Sequence, residues 1–206
     1  MKGGGQLRLS GGRRLLSPGG PTARPTTSRV REAVMNILAP HLEDCRWLDL
    51  CSGSGVMGCE ALQRGARYVV AVDQDPQCIR VSRTNLSAVA ASYSPAPEIR
   101  TERRELITWL NQGWSHDPFD IVYFDPPYDQ GLYEPCFTAL AQGGWVHQDS
   151  LVVCEHRSKL NPMPDSGWTV LDQRRYGISS VLMLSPPERC HHDGTGSMPP
   201  RTNPSA

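Results

Sequence analysis

Short, mostly apolar runs recur along the chain, three of them closed by an acid and the first leading into a glycine turn. They are Trp47 to Leu50, Tyr68 to Val72, Ile121 to Phe124 and Leu151 to Cys154. Runs of this length between turn signals read as buried strands. Between them the apolar positions fall at helical spacing. Val30, Val34, Ile37 and Leu38 share one such face, and helices are expected over 56–64, from Pro76 to about Ala90, and over 131–141. Strands alternating with helices predict a parallel sheet covered on both faces, an α/β fold. Two further strands, 168–173 and 181–184, follow without a clear helix between them. They predict an antiparallel edge.

The punctuation sharpens these elements. Leu7 to Leu16 alternates briefly around Gly11-Gly12, which predicts a small hairpin with its arginines on one exposed side. Thr27 or Ser28 caps the helix carrying Val30, and Pro40 stops it. Asp75-Pro76 has the form of an N-cap and first helical residue. Glu98 to Arg104 reads as a short strand, with Glu105-Leu106 opening the next helix. Arg174 to Gly177 reads as a turn that faces either substrate or solvent. From Pro186 the chain is rich in Pro, Gly and Ser without apolar periodicity, as a tail would be.

Two stretches carry candidate chemistry. The strand at Ile121 runs straight into Asp125-Pro126-Pro127-Tyr128. Proline has no N–H for a sheet ladder, so the strand must end at Asp125. A stiff turn there would hold a carboxylate, a proline carbonyl and a ring in fixed relation, where α/β sheets bind ligands. An exocyclic amine on a nucleobase is a poor nucleophile because its lone pair is conjugated with the ring. Asp125 and the carbonyl of Pro126 or Pro127 could accept its two N–H bonds, while Tyr128 stacks on the base. The plainer alternative is a strand that ends in a Pro-Pro turn.

The second stretch is Asp49-Leu50-Cys51-Ser52-Gly53-Ser54-Gly55, a strand entering a glycine turn. Gly53 and Gly55 let backbone approach a ligand and free N–H groups at a helix start. The pattern also fits a dinucleotide site. Asp49 weighs against that, since a carboxylate there repels a pyrophosphate and suits a cation. Asp73, ending the next strand with Gln74 beside it, stands where a ribose hydroxyl pair is gripped.

Asp125-Pro126-Pro127-Tyr128 resembles the catalytic tetrad of the amino-methyltransferases, which methylate adenine or guanine amines with S-adenosylmethionine. Arg24-Pro25-Thr26-Thr27-Ser28-Arg29-Val30-Arg31-Glu32, after a Gly/Arg-rich hairpin, narrows the likeness. With the glycine loop and the tetrad in that order, the chain is similar to the bacterial 16S rRNA guanine-N2 methyltransferases of the RsmD type, over roughly residues 6–185. It departs in detail at Cys51 and Ser52, where the family commonly has an aromatic and alanine.

The resemblance implies a Rossmann-like class I methyltransferase fold with a seven-stranded, mostly parallel sheet. It implies S-adenosyl-L-methionine as cofactor, held by Asp49, Ser52, Gly53, Gly55, Asp73 and Gln74. Glu105 stands where such enzymes often meet the adenine amino group, or is only a helix-start acid. The organisation expected is a basic arm over 1–23, a methyltransferase domain over 24–185 and a tail over 186–206. Two other readings stay open: an adenine-N6 DNA methyltransferase, and a non-catalytic RNA-binding assembly factor.

Charge adds a partner. The 206 residues are neutral overall, with 21 basic and 21 acidic side chains. Residues 1–31 hold seven of the basic ones and no acid, a charge of +7; the rest holds 14 basic and 21 acidic, a charge of −7. Such an arm suits a polyanion, and beside a base-modifying site that means nucleic acid. Arg24, Thr27, Arg29 and Arg31 are the candidate substrate contacts, with a phosphate or a carboxylate facing the arginines. The expected partner is 16S rRNA or a small-subunit assembly intermediate.

Apolar residues make up 38% and mean hydropathy is −0.42. No run approaches the ~18 residues of a membrane span, and no signal segment stands near Met1. Seven scattered cysteines without a Cys-x-x-Cys pair read as reduced thiols, not a zinc site, in a cytoplasmic monomer. Cys190-His191-His192 falls in the expected tail and is given no metal.

Overall fold

A computed structural model describes residues 7–19, 27–164 and 167–188. The elements are α1 (Ser28–Leu38), β1 (Arg46–Leu50), α2 (Val56–Gln63), β2 (Tyr68–Asp73), α3 (Pro76–Ala90), β3 (Glu98–Arg103) and α4 (Leu106–Leu110). Then follow β4 (Phe119–Phe124), α5 (Tyr133–Gln142), β5 (Val146–Arg157), β6 (Thr169–Tyr176) and β7 (Ser179–Ser185). The strands form one seven-stranded sheet in the order β3-β2-β1-β4-β5-β7-β6. All pairs from β3 through β5 are parallel. β7 pairs antiparallel with both β5 and β6.

Alternation along each strand builds the two faces. Trp47, Val69, Ala71, Ile121, Tyr123, Val153, Val181 and Met183 pack with apolar residues of α1, α2 and α3. The intervening Leu48, Leu50, Val70, Val72, Val122, Phe124, Val152, Cys154, Leu182 and Leu184 pack with α4 and α5. The central strands are buried on both sides, which is why their sequences read as nearly continuous apolar runs.

Most boundaries match the expected ones. Thr27 caps α1, with its hydroxyl accepting the Val30 N–H at 3.3 Å. Asp75 caps α3 by accepting the N–H groups of Gln77 and Cys78. The hairpin forms around a bridge between Arg8 and Arg14, and buries Leu9 and Leu15 in the α1–α2 core. Arg8, Arg13 and Arg14 are exposed.

One expectation needs correction. Arg174 and Arg175 lie within β6, not in a turn, because strand pairing continues to Tyr176 opposite Ser179. The two closing strands form the expected antiparallel edge: β7 pairs antiparallel with β5, and β6 antiparallel with β7. The expected tail is described only to Glu188, and Cys190-His191-His192 lies outside the described residues, as does Arg24.

Candidate active site

In chain order the sheet grows outward from β1 to β3, then returns to the other side of β1 with β4. This reversal leaves a crevice at the carboxyl ends of β1 and β4, the usual ligand position in open α/β sheets. A cavity of about 610 Å³ opens there. Asp49, Ser52, Gly53, Asp73, Gln74 and Glu105 line one part of it, and Asp125, Pro126, Pro127, Tyr128 and Thr27 line the rest. The two candidate stretches, separated by some 70 residues of chain, thus share one cavity.

The β1–β2 pole is built from strand ends and freed backbone. Asp49 is 2% exposed and accepts the Gly58 N–H at 3.1 Å. Burial pushes its carboxyl up to about 8, and the nearby Asp73 adds to the rise. Asp73 accepts the N–H of Gly53 and that of Asp75, each at 2.9 Å, and burial raises its carboxyl too. Gly53 has φ +53°, and a Cβ there would meet nothing within 4 Å, so the loop presents bare backbone to the cavity. Gly55 is not a lining residue. It turns the chain into α2 at φ +72°, where a Cβ would come within 2.9 Å of the Ser82 side chain.

Ser52 Oγ is buried and has no hydrogen-bond partner among the described residues. A buried orphan hydroxyl at a cavity wall is what a ligand's polar group would satisfy. Glu105 caps α4, its carboxylate accepting the N–H groups of Ile107 and Thr108. Hydrogen bonds to Thr108 hold its carboxyl below the usual range. It is therefore a helix-start acid that also lines the cavity.

The β4 pole is assembled across the sheet. Asp125 follows β4 directly and is partly exposed to the cavity. The Pro127 carbonyl accepts the Gln130 N–H at 3.4 Å. The Tyr128 hydroxyl lies 3.4 Å from Glu155 Oε1 and 3.3 Å from Ser179 Oγ. Tyr123 donates to the other oxygen, Glu155 Oε2, at 3.0 Å. The Arg157 guanidinium stands 5.5 Å from the centre of the Tyr128 ring.

Glu155, Arg157 and Ser179 thus join the site without having been singled out in the sequence. One signal could have found Glu155. Asp49, Asp73 and Asp125 are acids at or near the carboxyl ends of apolar runs, and Glu155 likewise follows the apolar run from Leu151 to Cys154.

The substrate-facing basic residues divide. Thr27 reaches the cavity, and Arg29 is exposed at the start of α1. Arg31 does not fit the expected substrate role. It is 5% exposed and its Nε lies 3.0 Å from Glu60 Oε1, while its Nη2 donates to the Arg8 carbonyl at 2.6 Å. Of the two groups expected to face the arginines, a carboxylate meets this one, because α1 packs over α2.

Comparison with known proteins agrees with this geometry. The family model described as Conserved hypothetical protein 95 matches residues 4–185. Ribosomal RNA small subunit methyltransferase D of Escherichia coli K12 is 35% identical over 157 residues, covering 74% of this chain and 76% of that one. The protein of the same name from Haemophilus influenzae is 30% identical, covering 84% and 88%. Among solved structures, Escherichia coli yhhF superposes with a TM-score of 0.74 at 29% identity, covering 90% of this chain and all of that one. The rRNA methyltransferase aviRa of Streptomyces viridochromogenes shares the fold, with a TM-score of 0.62 at 17% identity over 81% of this chain and 88% of that one. On this evidence the chain belongs to the Conserved hypothetical protein 95 family, that of the ribosomal RNA small subunit methyltransferases D.

Proposed function

We propose that the protein transfers a methyl group from S-adenosylmethionine to the exocyclic N2 amine of a guanine in small-subunit ribosomal RNA. The observation that carries this is the single cavity joining the Asp49–Asp73 pole to the Asp125–Tyr128 turn at the sheet's switch point. When bound, S-adenosylmethionine supplies an electrophilic methyl carbon on a sulfonium, and the sulfur keeps the electron pair of the broken bond.

The residues present fit that molecule. Asp49 ionises against its ammonium, Asp73 and Gln74 take the ribose hydroxyls, and Gly53 and Ser52 offer polar groups along its length. Asp125 accepts one N–H of the guanine amine. The Pro126 carbonyl takes the other, since that of Pro127 already receives the Gln130 N–H. These acceptors localise the nitrogen lone pair and aim it at the methyl group. Tyr128, pinned by its hydroxyl, offers the base the ring face turned away from Arg157. After attack the amine sheds one proton towards Asp125 and solvent. Most of the acceleration comes from alignment and fixed dipoles. Arg29, Arg24 and the hairpin arginines meet RNA phosphates, and the enzyme acts in the cytoplasm as a monomer.

The test is transfer of label from methyl-tritiated S-adenosylmethionine to 16S rRNA, partly assembled small subunits, duplex DNA and tRNA, with nucleoside analysis. N2-methylguanosine formed only with small-subunit material is the expected result. N6-methyladenine in DNA, or no label on any acceptor, would overturn the proposal.

A further inference from the structure

Glu155 follows the apolar stretch from Leu151 to Cys154 of β5, yet it is 4% exposed and forms part of the cavity wall. Among the described residues its charge is met by the hydroxyls of Tyr123 and Tyr128, not by a cation. An ionised carboxylate has about four acceptor positions, so two hydroxyls leave capacity for further donors. A buried anion left partly unmet is costly, and a donor on a ligand would relieve it.

Its placement says which donor. Phe124 of β4 pairs with Cys154 of β5 in the last parallel rung, so Asp125 and Glu155 follow at the same level of adjacent strands. Neighbouring strands lie about 4.8 Å apart. Along its Watson–Crick edge guanine carries two adjacent donors, the N2 amine and N1–H. Adenine carries an amine beside N1, which is an acceptor.

We propose that Glu155 accepts the N1–H of the target base while Asp125 accepts its amine, so that this pair of acids selects guanine over adenine. The inference rests on the guanine-N2 reading above. A carboxylate facing the N1 lone pair of adenine stays unmet and is repelled by it, which supplies rejection as well as attraction. Tyr123 and Tyr128 hold the carboxylate in its orientation, and Glu155 in turn fixes the Tyr128 ring.

The experiment replaces the methylated guanosine of the small-subunit RNA by 2-aminopurine, which keeps the 2-amino group and lacks N1–H. The wild-type protein should prefer guanosine by about 100-fold in kcat/KM, the loss typical when a buried polar group is left unpaired. In Glu155→Gln the amide can turn its N–H towards the bare N1, so the preference should collapse towards unity or invert. Cofactor affinity should not change. A residue that only held the tyrosines would lower transfer to both acceptors alike and leave their ratio intact; that outcome overturns the proposal. Equal methylation of the two acceptors by the wild-type protein overturns it too, and needs no variant. If the wild-type protein forms no N2-methylguanosine in any RNA, the underlying reading fails first and takes this inference with it.

Discussion

Glu60 and Asp49 are both acids of the β1–α2 unit, and both are all but unexposed. Their surroundings differ completely. Glu60 meets the guanidinium groups of Arg31 and Arg64, and also the N–H and hydroxyl of Ser10 at 2.8 and 3.0 Å. Asp49 has the single N–H of Gly58, and no cation is paired with it among the described residues. Burial therefore pushes Asp49 up to about 8. The contrast separates structure from function. A buried charge whose partners come from its own chain is a clamp, here fastening the hairpin and α1 to α2. A buried charge left short of partners at a cavity wall is waiting for a ligand. Asp49 is accordingly the residue proposed to meet the cofactor's ammonium.

The largest expected effect breaks the clamp. Glu60→Ala strands Arg31 in the interior and should cost about 3–5 kcal/mol of stability, the usual cost of removing one partner of a buried pair. Chemical denaturation measures it. Cofactor affinity at a temperature where the variant is folded should be unaffected, because Glu60 does not line the cavity.

The converse substitution is Asp49→Asn. It should weaken S-adenosylmethionine binding by about 100-fold, the scale of one desolvated charge contact, with thermal stability kept or raised. Isothermal calorimetry and a melting curve decide the pair. The sign for stability follows from the raised carboxyl. Folding favours the protonated acid, so in the free protein this group costs stability increasingly as pH rises from its ordinary 3.8 towards about 8. A bound ammonium favours the ionised acid. Binding should therefore release a proton below pH 8, and affinity should rise with pH by at most about tenfold per unit until it levels near 8. Calorimetry in buffers of different ionisation enthalpy would show that proton; its absence at pH 6.5 would contradict the role given to Asp49.

The smallest effect is expected at the Tyr128 hydroxyl. Tyr128→Phe removes the tether to Glu155 and Ser179 but keeps the ring, and should lower transfer only by about 3- to 10-fold, the worth of one hydrogen bond. Tyr128→Ala removes the stacking surface as well and should cost about tenfold more. Single-turnover rates on small-subunit RNA separate the two.

The sheet was legible because its central strands are buried on both faces and its helices are capped by local side chains. Asp49, Gly53 and Asp73 could be read because a strand–turn–helix motif keeps them close in sequence. The rest depended on distance along the chain. Arg31 resembles a substrate contact in the sequence because its partner Glu60 lies 29 residues away on another helix. Glu155 looks in the sequence like the plain end of an apolar run, since Tyr123 and Tyr128 reach it from 32 and 27 residues away. Arg174 and Arg175 looked like turn residues because an exposed edge strand has little apolar pattern to betray it.

The role proposed for Asp125 is towards the acceptor and not towards the cofactor. The most direct measurement pairs a calorimetric titration of Asp125→Ala with S-adenosylmethionine and its single-turnover methyl transfer to small-subunit RNA. The prediction is cofactor affinity equal to that of the wild-type protein, with transfer reduced by about 1,000-fold or more, as when a site loses the group that stabilises developing charge. Full transfer by the variant, or loss of cofactor binding together with transfer, would contradict it.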